Sequence, residues 1–272
     1  MAESRFSNLE FDDRSAKAPA AGKEPAGPGR AQKPYGNEPR DAAFYLRQAD
    51  IHELTGDFEA GLRSFSAALG EDPLLLDAWL GQLRMLVELE EYPEARLWAD
   101  KAAEKFPDHP QLLAAKSVAL HRMGLHHEAR EMNARALQAK GESASVWLCR
   151  GELMLAGSGP AAAECFARAR RLAAPKGPAL LAIGALYLRY RQYSLALSTL
   201  QEAAAAVPRA ARVWYLLGCT QNELGLAKGA AVSFQQARQL APQIARYRQA
   251  ANGDGVGIVA RVRGLFRRLL NR

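Results

Sequence analysis

A set of residues recurs along this chain at intervals of about 34, and a segment that repeats at such a period buries its apolar face by stacking on its own copies. The clearest copy is WYLLGCTQNELGLAKGAAVSFQQARQLAP, with Trp214, Leu217, Gly218, Gly225, Ala230, Phe234, Ala237 and Pro242. One period earlier stand Leu180, Gly184, Tyr187, Tyr193, Ala196, Ala203 and Pro208, and further copies begin near Trp147, Leu113, Trp79 and Tyr45. These residue types describe two antiparallel helices per copy. Gly and Ala sit where the two helices touch, because only small side chains permit that approach, while Trp, Tyr, Phe and Leu fill the space between one pair and the next. The closing Pro ends the second helix, since it cannot donate the backbone hydrogen bond a continuing helix requires. The copies differ in detail. The second has Leu83 and Leu86 in place of Gly and Tyr and Ala99 in place of Phe, the third closes on Gly141, and the fourth is one residue short around AGSGPAA.

The order W-x2-L-G-x2-Y, then A-x3-F and a closing Pro, resembles the tetratricopeptide repeat, with Gln221 at the Tyr position of the clearest copy. The resemblance covers residues 42–242 and implies an all-α, right-handed superhelical solenoid of about six helix pairs. It also implies that the first helix of each pair lines the concave side, with the second, fifth, ninth and twelfth positions facing outward. That register offers Leu46, Asp50 and Glu53 from the first repeat, then Leu80, Arg84 and Val87, Ala114, Val118 and His121, Leu148, Glu152 and Leu155, Leu181, Ala185 and Leu188, and finally Tyr215, Cys219 and Asn222. The partner-binding set expected from it is Leu46, Leu80, Arg84, Val118, Leu148, Glu152, Leu181, Leu188, Tyr215 and Asn222, with Leu181 facing solvent. Relatives that clamp the acidic C-termini of chaperones carry Lys and Asn at the fifth and ninth positions of early repeats. Here those positions are Leu46, Asp50, Leu80 and Arg84, which disfavours that ligand. A mostly apolar groove suits an extended apolar peptide or an amphipathic helix, each buried side chain contributing roughly 1.5–3 kcal/mol before ordering costs.

Outside the repeats the composition changes. Residues 14–40 are rich in Pro, Gly, Ala and charge, so 1–41 reads as a disordered N-terminal tail and linker. Ahead of the linker, RFSNLEFDD sets Phe6, Leu9 and Phe11 among acidic residues, a composition shared by short docking peptides and by ordinary tails with a few stray apolar residues. Residues 243–256 read as a capping helix and a Gly-rich hinge. The formal charge of +7 is concentrated at the C-terminal end, where residues 243–272 hold seven arginines against Asp254 alone. Projected at about 100° per residue, Ile258, Val262, Leu265, Phe266 and Leu269 share one face of a helix over 257–272, flanked by Arg263, Arg267 and Arg268. Sixteen such residues span only about 24 Å, too short to cross a bilayer, which suits lying on an anionic membrane surface or a partner protein, with folding back into the protein's own groove as the rival.

No stretch has the pattern of a catalytic, metal or phosphate site. His121, His126 and His127 lie at spacings that do not share a helical face and are expected as solvated turn histidines. Cys149, Cys165 and Cys219 read as free thiols. Neither a secretory signal nor a run of about 18 apolar residues occurs, so the expectation is a cytoplasmic protein, peripheral on the inner face of the membrane if 257–272 binds lipid. Twenty-seven arginines against nine lysines have the look of a GC-rich bacterial gene. The function these features suit is a non-enzymatic scaffold without cofactor or small-molecule substrate. Its alternatives are a chaperone-like subunit of a secretion or assembly machine and, less well supported, an RNA-binding helical-repeat protein, which needs basic or stacking groups along the repeat face.

Overall fold

The computed structural model describes residues 39–139, 142–155, 157 and 159–253, which form thirteen helices and no strand. In chain order they are α1 Ala42–Thr55, α2 Phe58–Glu71, α3 Leu76–Glu88, α4 Tyr92–Lys105, α5 Pro110–Arg122, α6 His126–Gln138, α7 Ala144–Leu155, α8 Gly159–Leu172, α9 Lys176–Arg189, α10 Tyr193–Ala206, α11 Ala211–Glu223, α12 Ala227–Leu240 and α13 Ala245–Asn252. The expected all-α architecture of six antiparallel helix pairs is present. The readings of residues 1–38 and of the helix over 257–272 lie outside the described residues.

Local sequence sets the helix ends. Asp41 and Asp57 cap α1 and α2, their carboxylates accepting from the backbone N–H groups of Phe44 at 2.8 Å and Ala60 at 3.2 Å. The closing prolines have a second task. Trp79 donates its indole N–H to the carbonyl of Pro73 at 2.9 Å, and Trp214 does the same to Pro208 at 2.8 Å. Each bond ties the first helix of a repeat to the end of the repeat before it, so the spacing of Trp behind Pro fixes the stacking of successive pairs.

Within a pair, a large residue on the second helix fills the space left by a small one on the first. A Cβ built on Gly151 would lie 2.2 Å from the Phe166 ring, one on Gly184 2.6 Å from Leu200, and one on Gly218 2.6 Å from Phe234. In the second repeat the volumes are exchanged, with Leu83 on α3 and Ala99 on α4, both buried in one core cluster. The sequence departures at Leu83 and Ala99 therefore compensate one another.

The odd-numbered helices form an inner layer in which α3 packs on α5, α5 on α7, α7 on α9 and α9 on α11, while the even-numbered helices lie outside. This inner layer closes on itself, because α1 also packs against α11. The clasp is made by α13. Tyr247 is fully buried, its ring 4.8 Å from that of Tyr215, and its hydroxyl donates to the carbonyl of Thr55 at 2.7 Å. Beside it Arg246 donates to the carbonyl of Gly56 and lies 5.1 Å above the Phe58 ring. Gly56 ends α1 in the left-handed region at φ 82°, and a Cβ there would come within 2.4 Å of the Tyr247 hydroxyl, so two separate constraints demand glycine. The far end of the repeat array is thus covered by its beginning.

Tyr247→Ala is expected to destabilise the protein by about 3–5 kcal/mol, as for other buried aromatics, while Tyr247→Phe loses only the hydrogen bond to Thr55, about 1 kcal/mol. Urea denaturation of the two variants checks this order.

Candidate functional site

The closed inner layer surrounds a cavity of about 580 Å³. Its wall is built from the inner helices, with Leu80, Leu83, Val87, Val118, Leu148, Leu186, Leu188 and Tyr215 among the apolar contributors and Gln111, Ser145 and Cys149 among the polar ones. Across this apolar surface runs a band of charge: Arg84, Arg122, Arg189, Arg212 and Arg246 with Glu53, Glu88 and Glu152.

Most of these charges pair between helices far apart in sequence. Arg84 on α3 meets Glu53 on α1 at 2.9 Å, Arg122 on α5 bonds to Glu152 on α7, Arg212 on α11 reaches Glu88 on α3 at 2.6 Å, and Arg189 on α9 reaches Glu90 beyond α3 at 3.5 Å. The last two pairs join α3 or the turn after it to helices from the other end of the array, the buried Arg212 in one and an exposed pair in the other. Burial opposes the charged form of Glu53, yet the charge and hydrogen bond of Arg84, with Arg212 behind them, hold its carboxyl below the ordinary range. At Glu152 burial wins and raises the carboxyl despite Arg122. Burial and the neighbouring Glu152 push the Cys149 thiol up to about 12, which keeps it protonated and a poor nucleophile at neutral pH.

Of the ten expected partner-binding residues, the structure brings Leu80, Arg84, Val118, Leu148, Glu152, Leu188 and Tyr215 together around the cavity. Leu46 instead packs against the core between the first repeats, and Asn222 does not line the cavity. Leu181 is a correction: it is 3% exposed and lies within the core cluster of α8 to α11, not facing solvent. Its neighbour Ala182 takes the place at the wall. The same one-residue displacement exchanges Ala114 for Ala115 and His121 for Arg122. Tight closure brings adjacent inner helices together and buries the flank of each helix that faces its neighbour. His121 is also not a solvated turn residue. It is 9% exposed, its Nε2 is 3.0 Å from the Tyr190 hydroxyl, and its ring lies 4.9 Å from that of His126, with burial lowering its pKa. His127 remains exposed.

The charged wall residues missed by the sequence register are Glu88, Arg122, Arg189, Arg212 and Arg246. Glu88, Arg122 and Arg189 occupy the thirteenth position of their repeats, so a recurring charge one residue beyond the twelfth position was a usable signal. Among the described residues no group of three or more His, Cys, Asp or Glu could hold a metal ion. No helix among them is long and apolar enough to cross a membrane.

Leu181→Ala is expected to cost about 2–5 kcal/mol and Leu188→Ala, at the wall, distinctly less, measurable by chemical denaturation. A carboxyl held low in the folded state adds stability that is complete above its unfolded value of 4.5 and is lost as pH falls through the lower folded one. The gap in Tm between the wild type and Glu53→Gln should therefore hold steady at neutral pH and close on acidification below about pH 4.5.

A family model described as tetratricopeptide repeat matches residues 46–110 and 181–243. No curated protein matches significantly. Among solved structures, the APC/C hetero-tetramer Cut9–Hcn1 is similar at 16% identity and a TM-score of 0.49, the match covering 79% of this chain and 43% of that one. YrrB, described as a TPR protein with an unusual peptide-binding site, is similar at 20% identity and a TM-score of 0.42 over 69% of this chain and 97% of its own. MamA is similar at 17% identity and a TM-score of 0.38, covering 76% and 94%. This chain spans less than half of the Cut9–Hcn1 chain it matches.

Proposed function

Because this chain is a tetratricopeptide repeat protein, and such repeats are in general protein-interaction modules and typically non-catalytic, we propose that it is a non-enzymatic adaptor that receives a segment of a protein in its central cavity. The observation that carries the reading is the cavity itself. A volume of 580 Å³ falls in the range of about 300–1,000 Å³ typical of ligand sites, and its wall is largely apolar with a few converging charged groups. Apolar side chains from a peptide or one turn of an amphipathic helix fit such a wall, and the charged band sets their orientation.

Residues 257–272 position the protein at an anionic membrane surface or on a second partner. The charge of the cavity favours this over insertion of the same segment into its own site: five arginines already line the wall, and a segment with Arg261, Arg263, Arg267, Arg268 and Arg272 would add like charge to them.

The test replaces a small wall residue by a large one. Ala185→Trp should remove the protein partners recovered with the full chain, as measured by quantitative mass spectrometry of affinity-purified complexes, while the Tm changes by only a few degrees. An unchanged partner set with an intact fold would overturn the reading. Flotation with liposomes tests the second element: binding should need anionic lipid, weaken with salt and disappear with Phe266→Asp.

A further inference from the structure

The cavity wall carries more positive than negative charge, with five arginines against three glutamates. Arg84, Arg122, Arg189 and Arg212 each have a carboxylate. Arg246 does not have one among its described partners, which are the carbonyl of Gly56, the hydroxyl of Tyr247 and the ring faces of Phe58, Tyr215 and Tyr247. Arg246 Nε is buried without a hydrogen-bond partner, and so is Nη1 of Arg122, whose side chain is only 10% exposed. A largely apolar wall lined by five arginines against three glutamates suits an occupant that brings carboxylates on an apolar segment.

One stretch of this chain has that chemistry. Residues 5–13 carry Phe6, Leu9 and Phe11 interleaved with Glu10, Asp12 and Asp13, against the single basic residue Arg5. The C-terminal stretch over 257–272 has the opposite sign and is excluded by charge. We propose that residues 5–13 dock in the central cavity of their own chain, their aromatic and leucine side chains against the apolar wall and their carboxylates toward Arg122 and Arg246. The proposal rests on the reading of the cavity as a ligand site.

Reach is sufficient. Residues 14–38 can span up to about 80 Å at roughly 3.3 Å each, whereas α1, which places Glu53 at the wall near its far end, is only about 21 Å long at 1.5 Å per residue. A tethered segment acts at an effective concentration of about millimolar order, so any external segment must displace it. Residues 5–13 thereby set a threshold that weak partners do not pass, and partners with the same alternation of apolar and acidic residues compete best.

The full chain carrying p-benzoylphenylalanine at position 6 tests this by photo-crosslinking and peptide mapping at low protein concentration. The expected result is crosslinks within one chain to peptides of α3, α5, α7 and α11, independent of protein concentration. Their yield should fall about tenfold when Glu10→Lys, Asp12→Lys and Asp13→Lys are combined, since the repeats are untouched and only the tethered charges change sign. Crosslinks confined to the outer helices overturn the proposal. So do crosslinks that form only between two copies, or a yield indifferent to charge reversal. The two readings can fail separately: if Ala185→Trp abolishes partner capture while the crosslinks miss the inner helices, the adaptor function stands and the docking of residues 5–13 falls.

Discussion

Where the two helices of a repeat cross, there is room for only one large side chain, and the organisation of this molecule follows from that steric limit. Gly151, Gly184 and Gly218 yield the space to Phe166, Leu200 and Phe234, and a Cβ on any of them would meet its partner at 2.2 to 2.6 Å. The limit fixes the sum of two volumes and not which helix supplies the larger one, which is why Leu83 opposite a position held by Ala99 preserves the packing. Once each pair is rigid, successive pairs stack in one manner. Trp79 and Trp214 on the carbonyls of Pro73 and Pro208 hold that stacking at two of the junctions. A fixed rotation per repeat then accumulates along the array, and six repeats bring the last helices against the first.

Closure changes what the concave face is. In an open array the first helix of each repeat faces solvent. Here α1 meets α11 and α13, so the same residues surround a cavity and the outward flanks of neighbouring inner helices bury one another. The electrostatics change with it. Ion pairs such as Arg212 with Glu88 join residues 124 apart in sequence across the closure, and the low exposure of Arg212 makes the contact more than a surface pairing. Burial opposes the charge of both Glu53 and Glu152, and the opposite directions of their shifts follow from the stronger pull of Arg84 and Arg212 on Glu53. An apolar wall that carries five arginines against three glutamates has a net positive charge as well as a shape.

The period of about 34 and its Gly, Ala and Pro positions determined, from the sequence alone, that this protein is a stack of helix pairs, because each requirement is local: a small residue at a crossing, a helix stop, an aromatic between pairs. The wall residues that depend only on that local register, such as Leu80, Arg84, Leu148 and Tyr215, were legible for the same reason. Which side of Leu181 and Ala182 faces the cavity was not, since a rotation of one residue is set by how closely α9 approaches its neighbours. Nor was the clasp. Tyr247 and Arg246 read in sequence as part of a short terminal cap, and only the accumulated rotation of six repeats places them on the carbonyls of Thr55 and Gly56, some 190 residues away. The sum of many small inter-repeat angles has no local signature, so the tertiary structure alone decided that the array closes and that its groove becomes a cavity.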